Sequence, residues 1–381
     1  MDGHVDARFR PVADAFAEGF EAGRDVGASV AVMLDGDLVV DLWHGHADRR
    51  RQVAWRPDTL VCMFSVTKAM TSLCLLQAVD RGLLDLDTPV ADYWPEFAGN
   101  GKEQITLRQI MSHRSGLVGF HDPVDRDILY DWNRFVAALE VERPWWDPGT
   151  RHGYHARTFG FLLGEVLRRR AGKSIGAWFR DEVAHPLGLD FAIGLPAEDL
   201  DRCAEMLPAR MRPGEQLTLP ADAREMMRDF GDLSTPTGAA FQNPAMGAGY
   251  MNSRAFRQAE IPAANGHGTA RSVANMYDRL DVLLSRSSLE AATSTHSIGP
   301  DAVLKSVTHF GLGLMLHHER TPVGCRPGSF GHAGAGGSLA FHDPQAKLSF
   351  CFAMNQMEAG VVSGGVSAMR VAGAAYDVFD L

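Results

Sequence analysis

The stretch MFSVTKAMTSLCLLQAV, residues 63–79, carries the features from which this fold can be inferred. Its apolar residues leave almost no polar face, so the pattern predicts a helix from about Phe64 to Asp80 that is buried on all sides. Ser65 and Lys68 stand near the start of this helix, three positions apart, and therefore project from the same face. Lysine is rarely buried, so the pair needs a chemical explanation.

Burial of Lys68 would change what Ser65 can do. A serine hydroxyl is a weak nucleophile until a neighbouring base takes its proton. Burial lowers the pKa of a lysine amine because it disfavours the charged form, and the neutral amine is such a base. The first turn of a helix also directs backbone N–H groups towards an anion formed there. The pair thus indicates a nucleophilic serine, although S-x-x-K alone also occurs by chance at solvated helix starts.

Composition excludes several other classes of protein. The 381 residues include 37 basic and 47 acidic side chains, a net charge of −10, without a dense basic run, so nucleic acid is not expected as a partner. No window approaches the ~20 apolar residues of a membrane span, and the N-terminus lacks the apolar core of a secretory signal. We therefore expect a cytoplasmic protein without a membrane partner, whose oligomeric state the sequence leaves open. Its five scattered cysteines are interpreted as reduced thiols: Cys62, Cys74, Cys203, Cys325 and Cys351.

Strand patterns occur at both ends of the chain and helix patterns between them. Residues 27–48 contain two β-rich runs joined by Asp35-Gly36, the signal for a tight hairpin. Three further strands are predicted in HFGLGLMLHH, GGSLAFHDP and KLSFCFAMNQ. The prediction is an α/β (α+β) fold, in which an antiparallel sheet is flanked by helices and an all-helical domain is inserted. The α/β domain would comprise residues 1–86 and 187–381, and the helical domain residues 87–186.

Two other segments accompany the serine and the lysine. The first is RHGYHARTF, residues 151–159, which places Tyr154 between a turn and a helix, a position where tyrosine is more often a packing residue. The second is FGHAGAGGSLAFHD, residues 330–343, whose glycines allow close approach of the backbone. A phosphate loop is not expected there, because the glycines precede a strand and not a helix.

Together these segments resemble the serine β-lactamase and penicillin-binding-protein superfamily, in particular class C β-lactamases and family VIII carboxylesterases. The motifs stand in the order of that family as Ser65-Val66-Thr67-Lys68, Tyr154-His155-Ala156 and His332-Ala333-Gly334, and MSHRSGLVGF is a further family-like phrase. The resemblance runs from about Val30 to the C-terminus, and it implies a β-lactamase/transpeptidase-like fold.

The resemblance also implies roles for individual residues. Ser65 would be the acylated nucleophile, and Lys68 and Tyr154 would share its proton, with the tyrosine stabilised as a phenolate by the adjacent ammonium. The backbone N–H groups of Ser65 and Ala335 would form the oxyanion hole. His332 and Gly334 would belong to the substrate pocket. No cofactor is implied, and a metal site is not expected, because the paired histidines lack a third ligand at usable spacing.

Two departures from the class C pattern bear on the substrate. Class C enzymes carry Tyr-x-Asn and Lys-Thr-Gly, whereas this chain has Ala156 and His332 at the corresponding positions. Histidine holds a carboxylate poorly at pH 7, so strong β-lactam hydrolysis is not expected. The leading hypothesis is a serine carboxylesterase that acts on small-molecule esters. The alternatives are a β-lactamase, a D-amino-acid-specific peptidase or an acyltransferase with the same nucleophile, and a non-catalytic binding or structural protein on this fold.

Overall fold

The core of the protein is a nine-stranded antiparallel sheet, seen in a computed structural model that describes residues 1–210, 221–359 and 364–379. Its strand order is β1-β3-β2-β12-β11-β10-β9-β8-β7, and β4, β6 and β5 form a separate small sheet. The strands within the described residues are β1 (Asp2–Val5), β2 (Gly27–Leu34), β3 (Asp37–Gly45), β4 (Val61–Cys62), β5 (Phe191–Ile193), β6 (Gly266–Gly268), β7 (Ser297–Pro300), β8 (Val307–Phe310), β9 (Met315–Leu316), β10 (Phe330–Ala333), β11 (Leu339–Asp343) and β12 (Leu348–Met354).

The two ends of the chain meet in this sheet, as predicted. Strand β2 from the N-terminal part pairs with β12 from the C-terminal part, with Ala31 opposite Cys351. The hairpin of β2 and β3 turns at Asp35 and Gly36, whose positive φ angles of 50° and 92° match the right-handed twist of the paired strands. The predicted fold class is therefore confirmed.

One predicted strand is in fact two. HFGLGLMLHH forms β8 and β9, separated by a bend at residues 311–314. Two glycines explain the bend: a Cβ atom on Gly311 would lie 1.9 Å from the Ala292 carbonyl oxygen, and one on Gly313 would lie 1.7 Å from the Ser72 hydroxyl. The bend allows the chain to pack closely against neighbouring helices, which a straight strand could not do.

Both faces of the sheet are covered by helices. Alternate residues of β2 and β12 point to opposite sides, so Val30 and Phe352 pack with helices α1 and α15, and Ala31 and Cys351 belong to the core on the other side. The helices within the described residues are α1 (Arg10–Glu21), α2 (Thr67–Asp80), α3 (Val90–Tyr93), α4 (Leu107–Met111), α5 (Trp132–Val141), α6 (Thr158–Ala171), α7 (Ile175–Phe179), α8 (His185–Leu187), α9 (Ala221–Phe230), α10 (Pro236–Gln242), α11 (Arg254–Gln258), α12 (Ala270–Asp278), α13 (Leu280–Leu283), α14 (Arg286–Thr293) and α15 (Val366–Tyr376).

Helix α2 lies between the nine-stranded sheet and a block of helices formed by residues 87–186. Residues 87–186 contain helices and no strand, and α6 and α7 of this block pack against α2. The division into an α/β domain and an inserted helical domain stays a prediction. None of the helices in the described ranges is both long and apolar enough to cross a membrane.

A buried carboxyl group ties the start of β2 to α15. Asp25 is only 4% exposed, and its Oδ2 atom accepts a hydrogen bond of 2.8 Å from the Ser367 hydroxyl. Burial raises the pKa of Asp25 to about 6, against an ordinary value of 3.8, and the nearby Glu358 carboxylate adds to the rise. Folding therefore favours the protonated form of this group.

Asp25→Asn should stabilise the fold at pH 7.5 and have little effect at pH 4. The folded pKa of about 6 lies above 3.8, so the cost of burying the charge is fully present above pH 6 and disappears as the pH falls towards 3.8. The gain at pH 7.5 is at most about 3 kcal/mol. Denaturant unfolding at both pH values measures it, with the exposed Asp37→Asn as the control. An equal effect at the two pH values would contradict this account.

Candidate active site

Ser65 lies in a tight turn just before helix α2. The predicted helix start is a 3₁₀ turn over Phe64–Val66, after which α2 begins at Thr67. Phe64 has a φ of 45°, a strained conformation for an aromatic residue. The Thr67 hydroxyl holds this turn, because it donates to the Phe64 carbonyl oxygen (2.5 Å) and accepts from the Gly266 N–H (2.8 Å). Ser65 is the only residue from 59 to 78 that is not buried.

Lys68 is completely buried, as the sequence predicted. Its Nζ atom lies 3.0 Å from the carbonyl oxygens of both Ala156 and Ala263, and 3.5 Å from the Ser65 Oγ atom. Burial lowers the pKa of Lys68 well below its ordinary value. In the neutral form that burial favours, the amine has two N–H donors and one lone pair; if the carbonyls take both donors, the lone pair is left for the Ser65 hydroxyl.

Tyr154 meets Ser65 and Lys68 from a segment without regular secondary structure. Its phenol is adjacent to the Ser65 hydroxyl, and its ring centroid lies 4.5 Å from the Lys68 Nζ atom. Burial raises the pKa of Tyr154. Burial shifts the pKa values of both Tyr154 and Lys68 towards the neutral form, the opposite direction from the phenolate and ammonium that the family resemblance implied.

Two residues that the sequence analysis did not select hold Tyr154 in place. The N–H of Tyr154 donates to the Asp301 Oδ1 atom at 3.1 Å. The N–H groups on either side donate to His113: Gly153 to its carbonyl oxygen (3.0 Å) and His155 to its Nδ1 atom (3.2 Å). His113 lies in the phrase MSHRSGLVGF, so the family resemblance could have selected it. Asp301 stands in no motif, and only the tertiary structure reveals it.

His332 lies beside Tyr154, with 6.0 Å between the ring centroids. Strand β9 pairs with Phe330 and Gly331, and on that side of β10 no strand of the described residues pairs with His332 and Ala333. The His332 Nδ1 atom donates to the Ala333 carbonyl oxygen at 2.6 Å, and its Nε2 atom has no hydrogen-bond partner among the residues that the structure describes. Burial lowers the pKa of His332 to about 3. It is therefore neutral at pH 7, with an unprotonated Nε2 atom.

The glycine of the third motif brings β10 close to the nucleophile. A Cβ atom on Gly334 would lie 2.3 Å from the Met63 carbonyl oxygen, so no other residue permits this contact. Ala335 lies in the turn that follows β10. Its N–H donates to no backbone carbonyl among the described residues. An oxyanion hole formed by Ser65 and Ala335 remains a prediction.

The histidines around Tyr154 have structural partners. The His155 Nε2 atom lies 2.7 Å from the Ser115 hydroxyl, and the His152 Nε2 atom lies 2.9 Å from the Thr308 hydroxyl. Within the described ranges, no group of three or more histidine, cysteine or acidic side chains is arranged to hold a metal ion.

Comparisons with known proteins agree with this geometry. The family model described as Beta-lactamase matches residues 12–370. The protein called Esterase/beta-lactamase LipL, from Mycobacterium tuberculosis, is 35% identical over an alignment of 373 positions that covers 93% of this chain and 83% of that protein. The chain belongs to the β-lactamase family.

Solved structures give the same result. The crystal structure of a family VIII carboxylesterase has a TM-score of 0.89 and 38% identity, over 99% of both chains. A penicillin-binding protein homologue from Caulobacter crescentus has a TM-score of 0.88 and 36% identity, again over 99% of both chains. This chain is a hydrolase of the serine β-lactamase fold, with esterases among its relatives.

Lys68→Met should slow the reaction of Ser65 with a fluorophosphonate by about 10²–10⁴-fold, because methionine has similar length and no lone pair of sufficient basicity. In the wild type the rate should fall as the pH is lowered through the depressed pKa of Lys68, since protonation removes the base. Time-resolved intact mass spectrometry measures both effects.

Lys102→Met is the matched control. Lys102 is also fully buried, and its Nζ atom donates to the carbonyl oxygens of Leu139, Glu140 and Glu142, away from Ser65. This variant should lose stability and keep the fluorophosphonate rate of the wild type. Equal rate losses in the two variants would show that Lys68 has only a structural role.

Proposed function

We propose that this protein is a carboxylesterase that hydrolyses small-molecule esters through an acyl-enzyme on Ser65. The observation that supports it most directly is the single cluster formed by a hydroxyl, a buried amine and a phenol, in which Ser65 alone is accessible to solvent. The names of its relatives support the same class of reaction.

In the proposed acylation, the Lys68 amine takes the Ser65 proton while the serine Oγ atom attacks the ester carbonyl carbon. The N–H groups of Ser65 and Ala335 stabilise the oxyanion, each worth about 3 kcal/mol of barrier. When the C–O bond breaks, the Tyr154 phenol gives its proton to the departing alcohol and recovers one from Lys68. Water then releases the acid by the same steps in reverse.

Ser65→Ala should lower the kcat/KM for p-nitrophenyl butyrate by about 10³-fold or more, because the variant lacks the hydroxyl that is proposed to form the acyl intermediate. Wild-type protein should gain the mass of one phosphonyl group on Ser65 after treatment with a fluorophosphonate. Thr71→Ala, on a buried turn of α2, controls for changes to the helix. Unchanged ester hydrolysis in Ser65→Ala would remove the proposed nucleophile.

Weak β-lactam hydrolysis is a second candidate activity, because the name of LipL includes it. The site is poorly suited to a substrate carboxylate. His332 is neutral, and the third residue of the tyrosine motif, Ala156, offers a methyl group where an amide could donate. A neutral imidazole lacks the charge-assisted hydrogen bond that a lysine forms with a carboxylate. We therefore propose that uncharged esters are preferred.

His332→Lys should raise the rate at which penicillin G acylates Ser65 by about tenfold, because the bound penicillin carboxylate can pair with a protonated lysine at this position but not with a neutral ring. The same variant should hydrolyse p-nitrophenyl butyrate no faster than the wild type. His342→Lys, on the adjacent strand β11 and bonded to Ser349 at 2.8 Å, is the control. If His332→Lys leaves penicillin acylation unchanged, the neutrality of His332 does not determine selectivity.

A further inference from the structure

The tip of the β7–β8 hairpin docks on the segment that carries Tyr154. The Ala302 N–H donates to the His152 carbonyl oxygen at 3.1 Å. A Cβ atom on Gly153 would lie 3.1 Å from a Val303 methyl group and 3.2 Å from the Ala302 Cβ atom, so the Gly153 backbone packs directly against these side chains. The phenol-bearing segment, which has no regular secondary structure, thus depends on this hairpin for its position.

Asp301 is the first residue of that tip, and it is only 2% exposed. Its Oδ1 atom accepts from the N–H groups of Val303 and Leu304, both at 2.8 Å, and so shapes the turn. The same oxygen accepts the Tyr154 N–H at 3.1 Å. The Oδ2 atom accepts from the Thr308 hydroxyl at 3.1 Å. One carboxylate therefore joins the hairpin tip to the backbone of Tyr154, which is 147 residues earlier in the chain.

We propose that Asp301 is a positioning residue, which acts through the Tyr154 backbone to hold the phenol against Ser65. The reason is geometric: Tyr154 receives its orientation from a backbone without helix or strand, and its own N–H has Asp301 as its acceptor. A displacement of about 1 Å in a reacting group can cost about 10²-fold in rate. This inference rests on the role proposed for Tyr154.

The conservative variant separates hydrogen bonding from charge. Asp301→Asn keeps an oxygen that can accept from the three N–H groups. Its new NH₂ group can donate to the Thr308 hydroxyl, provided that this hydroxyl donates in turn to the His152 Nε2 atom, 2.9 Å away. It should react with a fluorophosphonate within about threefold of the wild-type rate. Asp301→Ala, which leaves the Tyr154 N–H without its acceptor, should be about 10- to 100-fold slower.

Asp343 provides a matched control for the loss of a buried turn carboxylate. It is fully buried, its Oδ1 atom accepts from the N–H groups of Gln345 and Ala346, and its Oδ2 atom accepts from the Tyr376 hydroxyl at 2.9 Å. Asp343→Ala should therefore lose comparable stability and keep the fluorophosphonate rate. Equal rate losses in Asp301→Ala and Asp343→Ala would overturn the proposal.

A double-mutant cycle tests whether Asp301 acts through Tyr154. In a Tyr154→Phe background, where the phenol is already absent, Asp301→Ala should change the phosphonylation rate by less than about threefold. The same loss in both backgrounds would show that Asp301 acts by another route. The slow reactions can be followed over hours by intact mass.

If Asp301→Ala does not fold, Asp301→Glu takes its place, because it keeps the charge and displaces the acceptor oxygen by one methylene. It should react more slowly than Asp301→Asn, and equal rates would overturn the proposal.

The wild-type reaction separates the proposed function from the role proposed for Asp301. If Ser65 gains no phosphonyl adduct, the proposed function fails, whereas an adduct that forms at equal rates in all variants refutes only the role of Asp301.

Discussion

The active site depends on a completely buried lysine inside an apolar helix. An ammonium at the position of Lys68 would need compensation for its lost hydration, and the residues around it provide two backbone carbonyls and no carboxylate contact within hydrogen-bonding distance. The neutral amine fits this environment, because its two N–H groups match the two carbonyl acceptors. The arrangement satisfies every polar atom of the buried side chain only when the lone pair is directed at the nucleophile.

Those two carbonyls also connect distant parts of the chain. Ala156 belongs to the segment that carries Tyr154, and Ala263 precedes β6, so the amine of Lys68 joins α2 to both. Close backbone contacts complete the assembly, since Gly334 places β10 against the Met63 carbonyl oxygen. The site is therefore part of the packing between the sheet and the helical block, and a change in that packing would alter the distances between the reacting groups.

The chemistry of the site is that of neutral groups. Burial keeps His332 uncharged, and its Nδ1–H is already donated to the Ala333 carbonyl oxygen. The Nε2 lone pair that remains repels a carboxylate and accepts from a hydroxyl or an N–H group.

The sequence alone determined the serine–lysine pair, the buried helix, the hairpin at Asp35-Gly36 and the α/β fold, because these depend on local periodicity and short motifs. It also indicated Tyr154 and His332, through their resemblance to family motifs. Only the tertiary structure decided that Asp301 and His113 hold Tyr154, that HFGLGLMLHH bends between two strands, and that burial favours the neutral forms of the phenol and the amine. These features arise from hydrogen bonds and burial between residues far apart in the chain, which no local pattern records.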